Sequence, residues 1–275
     1  MKLVTRNLEI RNQSSRILTI LLNPLYKLSN FTNFQTIVWQ ERTELMFGAD
    51  RMARLRQAHV LVVGLGGVGA YAAEMLCRAG VGELTLVDGD VVSESNRNRQ
   101  LIALCSTRGR PKTEVLAERL RDINPDIVLH LHNEFLRDER TAELLRAAHY
   151  DFLVDAIDTL SPKVFLLYEA YQLGIPTASS MGSGGKLDPQ QVRTCDISKS
   201  NYCKLAHMVR KYLHRLGVRS GITVVYSPEV VPDDRIEVVE NEQNKRSTVG
   251  TVSYMPAIFG CQLAAHVIRK LTIND

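Results

Sequence analysis

The chain has 275 residues, enough for one large α/β domain or a core domain with appendages. Hydrophobic residues make up 45% and charged residues 23%, which excludes an unfolded polar chain and fits a soluble globule. The net charge of +4 is mildly basic, compatible with a nucleic-acid partner without requiring one.

The first forty residues read as a basic extension, expected to be poorly ordered. Lys2, Arg6, Arg11, Arg16 and Lys27 there face only Glu9. The composition suits an organellar transit segment or a basic arm, and equally an extension without a role. From His59 onward strand and helix alternate. The run "HVLVV" (59–63) is continuously apolar, as a strand buried on both faces of a parallel sheet must be. Val68 to Arg78 reads as a small-residue helix and "ELTLVD" (83–88) as the next strand. "PKTEVLAERLRDI" then opens on Pro111 with an apolar stripe through Val115, Leu116 and Leu120. "DIVLHLH", "RTAELLRAA", "DFLVDA", "PKVFLLYEAYQLG" and "IPTASSMG" continue the alternation. Together they predict an α/β fold: a Rossmann-like, doubly wound, mostly parallel sheet with a C-terminal α+β extension.

In that extension "GGKLDPQQVRTCDI" suggests a hairpin turning at Asp188–Pro189. "SNYCKLAHMVRKYLHRLGV" is a basic amphipathic helix, "ITVVYS" a strand, and "NEQNKRS" a polar loop expected to be mobile. On the helix Lys204, Arg210, Lys211, His214 and Arg215 suit either a phosphate-contacting or a merely solvated face. Thr248–Ile268 lacks Asp, Glu, Lys and Arg over about the ~20 residues a bilayer crossing needs. Its Thr, Ser, Gln and His residues favour a buried helix instead, so no integral membrane segment is expected.

The chemistry concentrates around one turn. Gly64, Gly66, Gly67 and Gly69 follow a predicted strand and open a predicted helix, where bare backbone approaches a phosphate and free N–H groups favour its charge. Asp88 ends the second strand, placed to accept hydrogen bonds from ribose hydroxyls. A nicotinamide site and an ATP site share those features. The residues that follow separate them: Asn96, Asn98, Arg99 and Gln100, with Lys112 opening the next helix. Hydride transfer has no use for cations there, whereas cleavage of a triphosphate needs them against the charge on departing pyrophosphate. Asp155 and Asp158 end another strand on the same edge. Asp158 suits Mg²⁺ coordination beside phosphates, or a helix cap, and Asp155 a structural role.

The set "GLGGVG…LVDGDVVSESNRNRQ…GRPK…DAID" resembles the ThiF/MoeB/HesA adenylating superfamily, which includes ubiquitin-activating enzymes and bacterial activators of sulfur carriers. "SNRNRQ", "AERLRDINP", "DAIDTLSPK" and "FGCQLAAHVIRKL" are most similar to the tRNA threonylcarbamoyladenosine dehydratase branch. The resemblance runs from about Glu41 to the end, making residues 41–275 a ThiF-type adenylation domain. It implies that Gly66 and Gly67 lie against ATP phosphates, that Asp88 binds ribose, and that Ser95, Asn96 and Arg99 complete the pocket. It further implies that Lys112 stabilises the transition state, that Asp158 holds Mg²⁺, and that Thr159 lies beside the nucleotide. Arg42 in "ERTELMFG" would act in the partner subunit's site of a homodimer. The implied activity is ATP-dependent cyclisation of N6-threonylcarbamoyladenosine in tRNA. The alternative is adenylation of a ubiquitin-like sulfur carrier's C-terminal glycine, with a sulfur-transfer partner protein.

The cysteines bear on that choice. Cys77, Cys105, Cys195, Cys203 and Cys261 include no C-x-x-C pair, which argues against a disulfide framework and a paired-thiolate zinc site, and for a cytoplasmic setting. The dehydration scheme needs no enzyme cysteine, and Cys195 and Cys203 read as inert, partly buried thiols.

Overall fold

The computed structural model describes residues 34–242 and 245–273. It divides into two units, residues 1–42 and 43–275. The sheet, its cores and every expected site residue except Arg42 belong to the second. Most of the basic extension expected over residues 1–40 lies outside the described residues. The described chain opens on helix α1 (Phe34–Phe47), followed by α2 (Ala49–Gln57).

Strand β1 (His59–Val63) is buried along its whole length because helices cover both faces of the sheet. Val60 and Val62 face one side, packed with α3 (Gly69–Ala79) and the last helix. Leu61 and Val63 face the other, with residues of α5 (Asp138–Ala147) and α6 (Leu160–Gln172). Helix α3 can lie close to the sheet because Ala70, Ala72 and Ala73 present almost no side chain, and it stops at Gly80, which takes φ 101°. The remaining early elements are β2 (Glu83–Val87), α4 (Lys112–Ile123), β3 (Val128–His132), β4 (Phe152–Asp155) and β5 (Thr177–Ser180).

The seven-stranded sheet runs β3-β2-β1-β4-β5-β7-β6, with β6 (Arg193–Asp196) and β7 (Thr223–Tyr226) at one edge. All neighbours are parallel except β6 against β7. The winding reverses between β1 and β4, and in open α/β sheets that switch point is where ligands bind, outside the carboxyl ends of the strands. Helix α7 (Lys204–Arg215) packs with α6 and β7 around Leu167, Val209, Leu213 and Val224, the core of the C-terminal extension.

Two expectations fail in that extension. The hairpin at Asp188–Pro189 does not form. The carboxylate of Glu229 accepts the N–H groups of Leu187 and Asp188, both at 2.9 Å, so the first arm has no ladder to offer. Residues Pro189–Gln191 make a short 3-10 turn, with the Asp188 side chain accepting from Gln190, and β6 pairs with β7 instead. Of the polar loop "NEQNKRS", Asn241 and Glu242 end β8 (Ile236–Glu242) and Lys245 to Ser247 open β9 (Lys245–Val249), two paired strands in which β-branched residues outnumber turn formers, while residues 243–244 lie outside the described residues.

Helix α8 (Tyr254–Thr272) buries Met255, Phe259, Leu263 and Val267, as expected for a buried helix within the uncharged Thr248–Ile268 stretch. Among the described residues no helix is long and apolar enough to cross a membrane. The absence of a side chain at Gly260 brings α8 hard against the start of α3: a Cβ there would lie 2.4 Å from the Val68 carbonyl oxygen. Burial of His266 beside Phe152 holds its imidazole below the ordinary value, with Lys270 and Arg269 adding to the effect.

Candidate nucleotide site

The turn after β1 is built by glycines with different jobs. Gly64 sits at φ 88°, and a Cβ there would lie 2.8 Å from the Ala156 carbonyl oxygen. A Cβ on Gly69 would lie 1.7 Å from the carbonyl oxygen of Gly64. These two glycines let the turn close against the end of β4, a packing role. Gly67 rests against Pro256 of α8, at 3.0 Å from its Cβ position. Gly66 differs: the nearest atom to a Cβ there is Gln100 Nε2 at 3.7 Å, so its backbone faces open space. That is the side from which a phosphate could reach the N–H groups at the start of α3.

Asp88 follows β2 and reaches across to this turn. Its Oδ2 accepts the Leu65 N–H at 2.6 Å and its Oδ1 the Asp90 N–H at 2.8 Å. Burial pushes the Asp88 carboxyl above its ordinary value, although Lys112 and the two N–H groups pull the other way. Lys112 is itself buried, at 4% exposure, with Nζ 2.7 Å from Asp90 Oδ2 and 3.8 Å from Asp88 Oδ1. Local folding explains how residues 24 apart in sequence meet. A one-residue antiparallel bridge joins Val91 to Pro111, and the Lys112 N–H bonds the Asp90 carbonyl at 3.1 Å. The excursion between β2 and α4 therefore returns to its own root and delivers an ammonium under the glycine turn. Asp90, not expected from the sequence, is the exposed partner that holds it.

The "SNRNRQ" segment fills the excursion. Residues Glu94–Asn96 form a 3-10 turn in which Asn96 Oδ1 accepts the Ser93 N–H at 3.1 Å and the hydroxyls of Ser93 and Ser95 lie 3.1 Å apart. The Arg99 guanidinium donates to the Ser95 carbonyl at 2.9 Å and to Asn98 Oδ1 at 2.8 Å, folded onto its own loop. Asn98 Nδ2 donates to the Thr251 carbonyl at 3.0 Å, tying the loop to the segment ahead of α8. Gln100 closes the segment beside Gly66. Its Oε1 is buried without a hydrogen-bond partner among the described residues, a cost of about 1–3 kcal/mol that a ligand donor could relieve.

On the other flank Asp155 is fully buried. Its Oδ2 takes the Lys163 ammonium and the Ser179 hydroxyl, the latter at 2.6 Å, and its Oδ1 accepts the Ile157 N–H at 3.0 Å. The expected structural role for Asp155 holds, but through this buried network and not by capping a helix. Asp158 is exposed, three residues beyond the end of β4, and Thr159 in extended conformation immediately precedes α6. A helix starting at Leu160, ahead of Pro162, shifts the boundary the sequence suggested. The carboxyl edge thus brings together the glycine turn, Asp88, Lys112, the 95–100 loop and the Asp158–Thr159 loop. Arg42 lies in α1, in the other unit.

The described cysteines are free, and none is paired. Burial raises the thiols of Cys195 and Cys77, the latter to about 12, which keeps them protonated and unreactive. On the helix face of α7, Arg210 donates to the Ser200 carbonyl at 2.7 Å and so fastens α7 to the preceding turn, while Lys204, Lys211, His214 and Arg215 are exposed.

The sequence pattern of the ThiF family matches residues 40–275. The chain belongs to the ThiF family. This ThiF-family chain is 36% identical over 237 residues to the tRNA threonylcarbamoyladenosine dehydratase of Bacillus subtilis, covering 84% of this chain and 93% of that protein. The crystal structure of Escherichia coli tRNA N6-threonylcarbamoyladenosine dehydratase, TcdA, in complex with ATP is similar with a TM-score of 0.75 and 32% identity, covering 85% of this chain and 95% of that one. The molybdopterin-synthase adenylyltransferase of Escherichia coli is 38% identical over 133 residues, but these cover 48% of this chain and 53% of that protein.

Proposed function

We propose that this ThiF-family protein is an ATP-dependent tRNA threonylcarbamoyladenosine dehydratase, with residues 41–275 as its adenylation domain and the cytoplasm, where its thiols stay reduced, as its setting. The observation that carries the reading is Lys112: a buried ammonium, anchored by an exposed carboxylate, beneath a glycine turn with one open backbone face. A nicotinamide ring would gain nothing from that charge.

In this reading Asp88 accepts from the ribose hydroxyls and the backbone at Gly66 lies along the phosphates. Arg99 swings from its own loop onto the phosphates, and Ser95, Asn96 and Thr159 line the nucleoside. The threonyl carboxylate of the modified adenosine attacks the α-phosphorus of ATP, and the bond to pyrophosphate breaks. Lys112 and Arg99 stabilise the charge gathering on the leaving group, the kind of contact worth roughly 10²–10³ in rate. An atom of the carbamoyl group then attacks the acyl carbon and closes a ring. The carboxyl oxygen bound to phosphorus departs with AMP, so the product is the starting nucleoside less one water. Asp158, exposed beside the phosphate edge, suits Mg²⁺, which takes one or two carboxylates together with phosphate oxygens and water. When bound, that ion supplies further neutralisation of the triphosphate. Arg42 completes the site of a second copy in a homodimer.

The deciding experiment mixes purified protein, ATP and tRNA carrying N6-threonylcarbamoyladenosine, then measures AMP release and nucleoside mass. AMP together with a nucleoside lighter by one water is expected. Turnover that depended on a carrier protein and ignored tRNA would instead favour sulfur-carrier adenylation, for which the match to the molybdopterin-synthase adenylyltransferase over about half the chain is the supporting observation.

A further inference from the structure

The opposite edge of the same sheet carries a second cluster that the reaction above does not use. His59 starts β1 and is in register with Glu83, the first residue of β2. Thr85, two residues on and therefore on the same face, is in register with His130 of β3. Three adjacent strands so present His59, Glu83 and His130 on one face, His59 and Glu83 as the first residues of their strands and His130 at the middle of β3. The β1 strand separates this cluster from the glycine turn by roughly 13 Å at ~3.3 Å per residue.

The side chains converge. Glu83 Oε1 lies 2.7 Å from His130 Nε2 and 3.5 Å from His59 Nδ1, and the three ligand atoms are all within 4.8 Å of one another. An ion bonded at about 2.0–2.2 Å to nitrogen and oxygen ligands in tetrahedral array spaces them about 3.3 Å apart. Glu83 Oε1 and His130 Nε2, now 2.7 Å apart, would have to separate by about 0.6 Å to reach that spacing, a movement open to the half-exposed His130 side chain.

His59 is the fixed member. It is buried at 8% exposure, its ring stacks at 4.7 Å on Tyr150, and its Nε2 is 2.8 Å from the Thr85 hydroxyl. When that hydroxyl accepts the Nε2 proton, the Nδ1 lone pair faces Glu83, the orientation that a hydrogen bond to the far ring nitrogen gives a metal-bound imidazole. Asp151 Oδ2 accepts the His59 backbone N–H at 2.8 Å and adds negative charge nearby.

We propose that His59, Glu83 and His130 bind one divalent transition-metal ion of the Zn²⁺ class at the amino edge of the sheet, joining β1, β2 and β3. Two imidazoles and one carboxylate suit a borderline ion and leave the fourth position to water.

Chelator-treated, nucleotide-free protein titrated with Zn²⁺ in a calorimeter tests this, with Co²⁺ absorption spectra reporting the ligands. One equivalent per chain is expected, with a nitrogen–oxygen spectrum and a melting temperature that rises and saturates with added ion. His130→Ala and Glu83→Gln should each weaken binding about 10-fold or more, since even loss of an outer-shell partner costs that much. Both positions are at least partly exposed, and ATP binding by each variant verifies its fold. Cys105→Ser with Cys261→Ser, at the exposed thiols, should leave binding unchanged. No saturable binding, unchanged affinity in both variants, or a thiolate charge-transfer band would overturn the proposal.

Discussion

Two aspartates flank β1 on the sheet's carboxyl edge, and each takes a lysine from the helix that follows. Asp155 ends β4 and holds Lys163, while Asp88 follows β2 and stands near Lys112. Both lysines are buried, yet the pairs are wired differently. Asp155 and Lys163 are wholly enclosed, and the Asp155 oxygens are taken up by Lys163, Ser179 and the Ile157 N–H. Lys112 makes its close contact with Asp90, whose side chain is 54% exposed, and stands off from Asp88. A buried charge pair is structure when the chain's own groups fill its oxygens. It becomes a site when the partner that holds it faces water and can give way to a phosphate.

Removing each lysine should separate the two kinds. Lys163→Ala strands a carboxylate in the interior and should cost about 3–5 kcal/mol of stability, read by denaturant unfolding. Lys112→Ala should instead lower the adenylation rate roughly 10²–10³-fold, seen as pyrophosphate exchange, while costing less stability than Lys163→Ala because Asp90 rehydrates. A Lys112→Ala protein that unfolded more easily than Lys163→Ala, or turned over normally, would erase the distinction.

The glycine turn offers a finer version. Gly66→Ala meets nothing closer than a flexible glutamine amide, so the fold should be unchanged while ATP binding weakens about tenfold, near 1.4 kcal/mol. Equal ATP affinity in Gly66→Ala and the unaltered protein would place the phosphates elsewhere.

Glu74 is the intermediate case, a buried carboxylate gripped by two half-exposed arginines. Burial pushes its carboxyl upward, but hydrogen bonds from Arg119 and Arg78 outweigh it and leave the value below the ordinary 4.5. A depressed folded value means that the unfolded chain binds more protons in the window. The stabilisation is therefore complete above about pH 4.5 and lost as pH falls through the lower folded value. Glu74→Gln should cost about 1 kcal/mol at pH 7, since the arginines are solvent-screened, and should flatten the acid limb of stability against pH. An acid limb identical in both proteins would assign that limb to other carboxylates.

The sequence carried the central fold well for a physical reason. Strands buried on both faces are uninterrupted apolar runs, as in "HVLVV", and glycine or proline punctuates the connections between elements. Asp88 and the glycines stand out because they directly follow β1 and β2, whereas Lys112 returns to Asp88 only through the Val91–Pro111 bridge. The pairing of β6 was not legible, because Glu229, more than forty residues beyond Leu187, takes the N–H groups that the expected hairpin needs. Spacing marked Asp155 as structural but could not show how: what fixes it is Ser179 on a neighbouring strand and Lys163 one helical turn into α6. Asp90 passed unnoticed since an exposed aspartate looks ordinary until its partner is known.

Helix α8 rests on the glycine turn and the start of α3 through Pro256 and Gly260, and Thr251 just ahead of it receives the Asn98 amide. Translation runs from the amino end, so the glycine turn, Asp88 and Lys112 all leave the ribosome well before the helix that braces them. In a growing chain the proposed ATP pocket is consequently unbraced until this helix has been made.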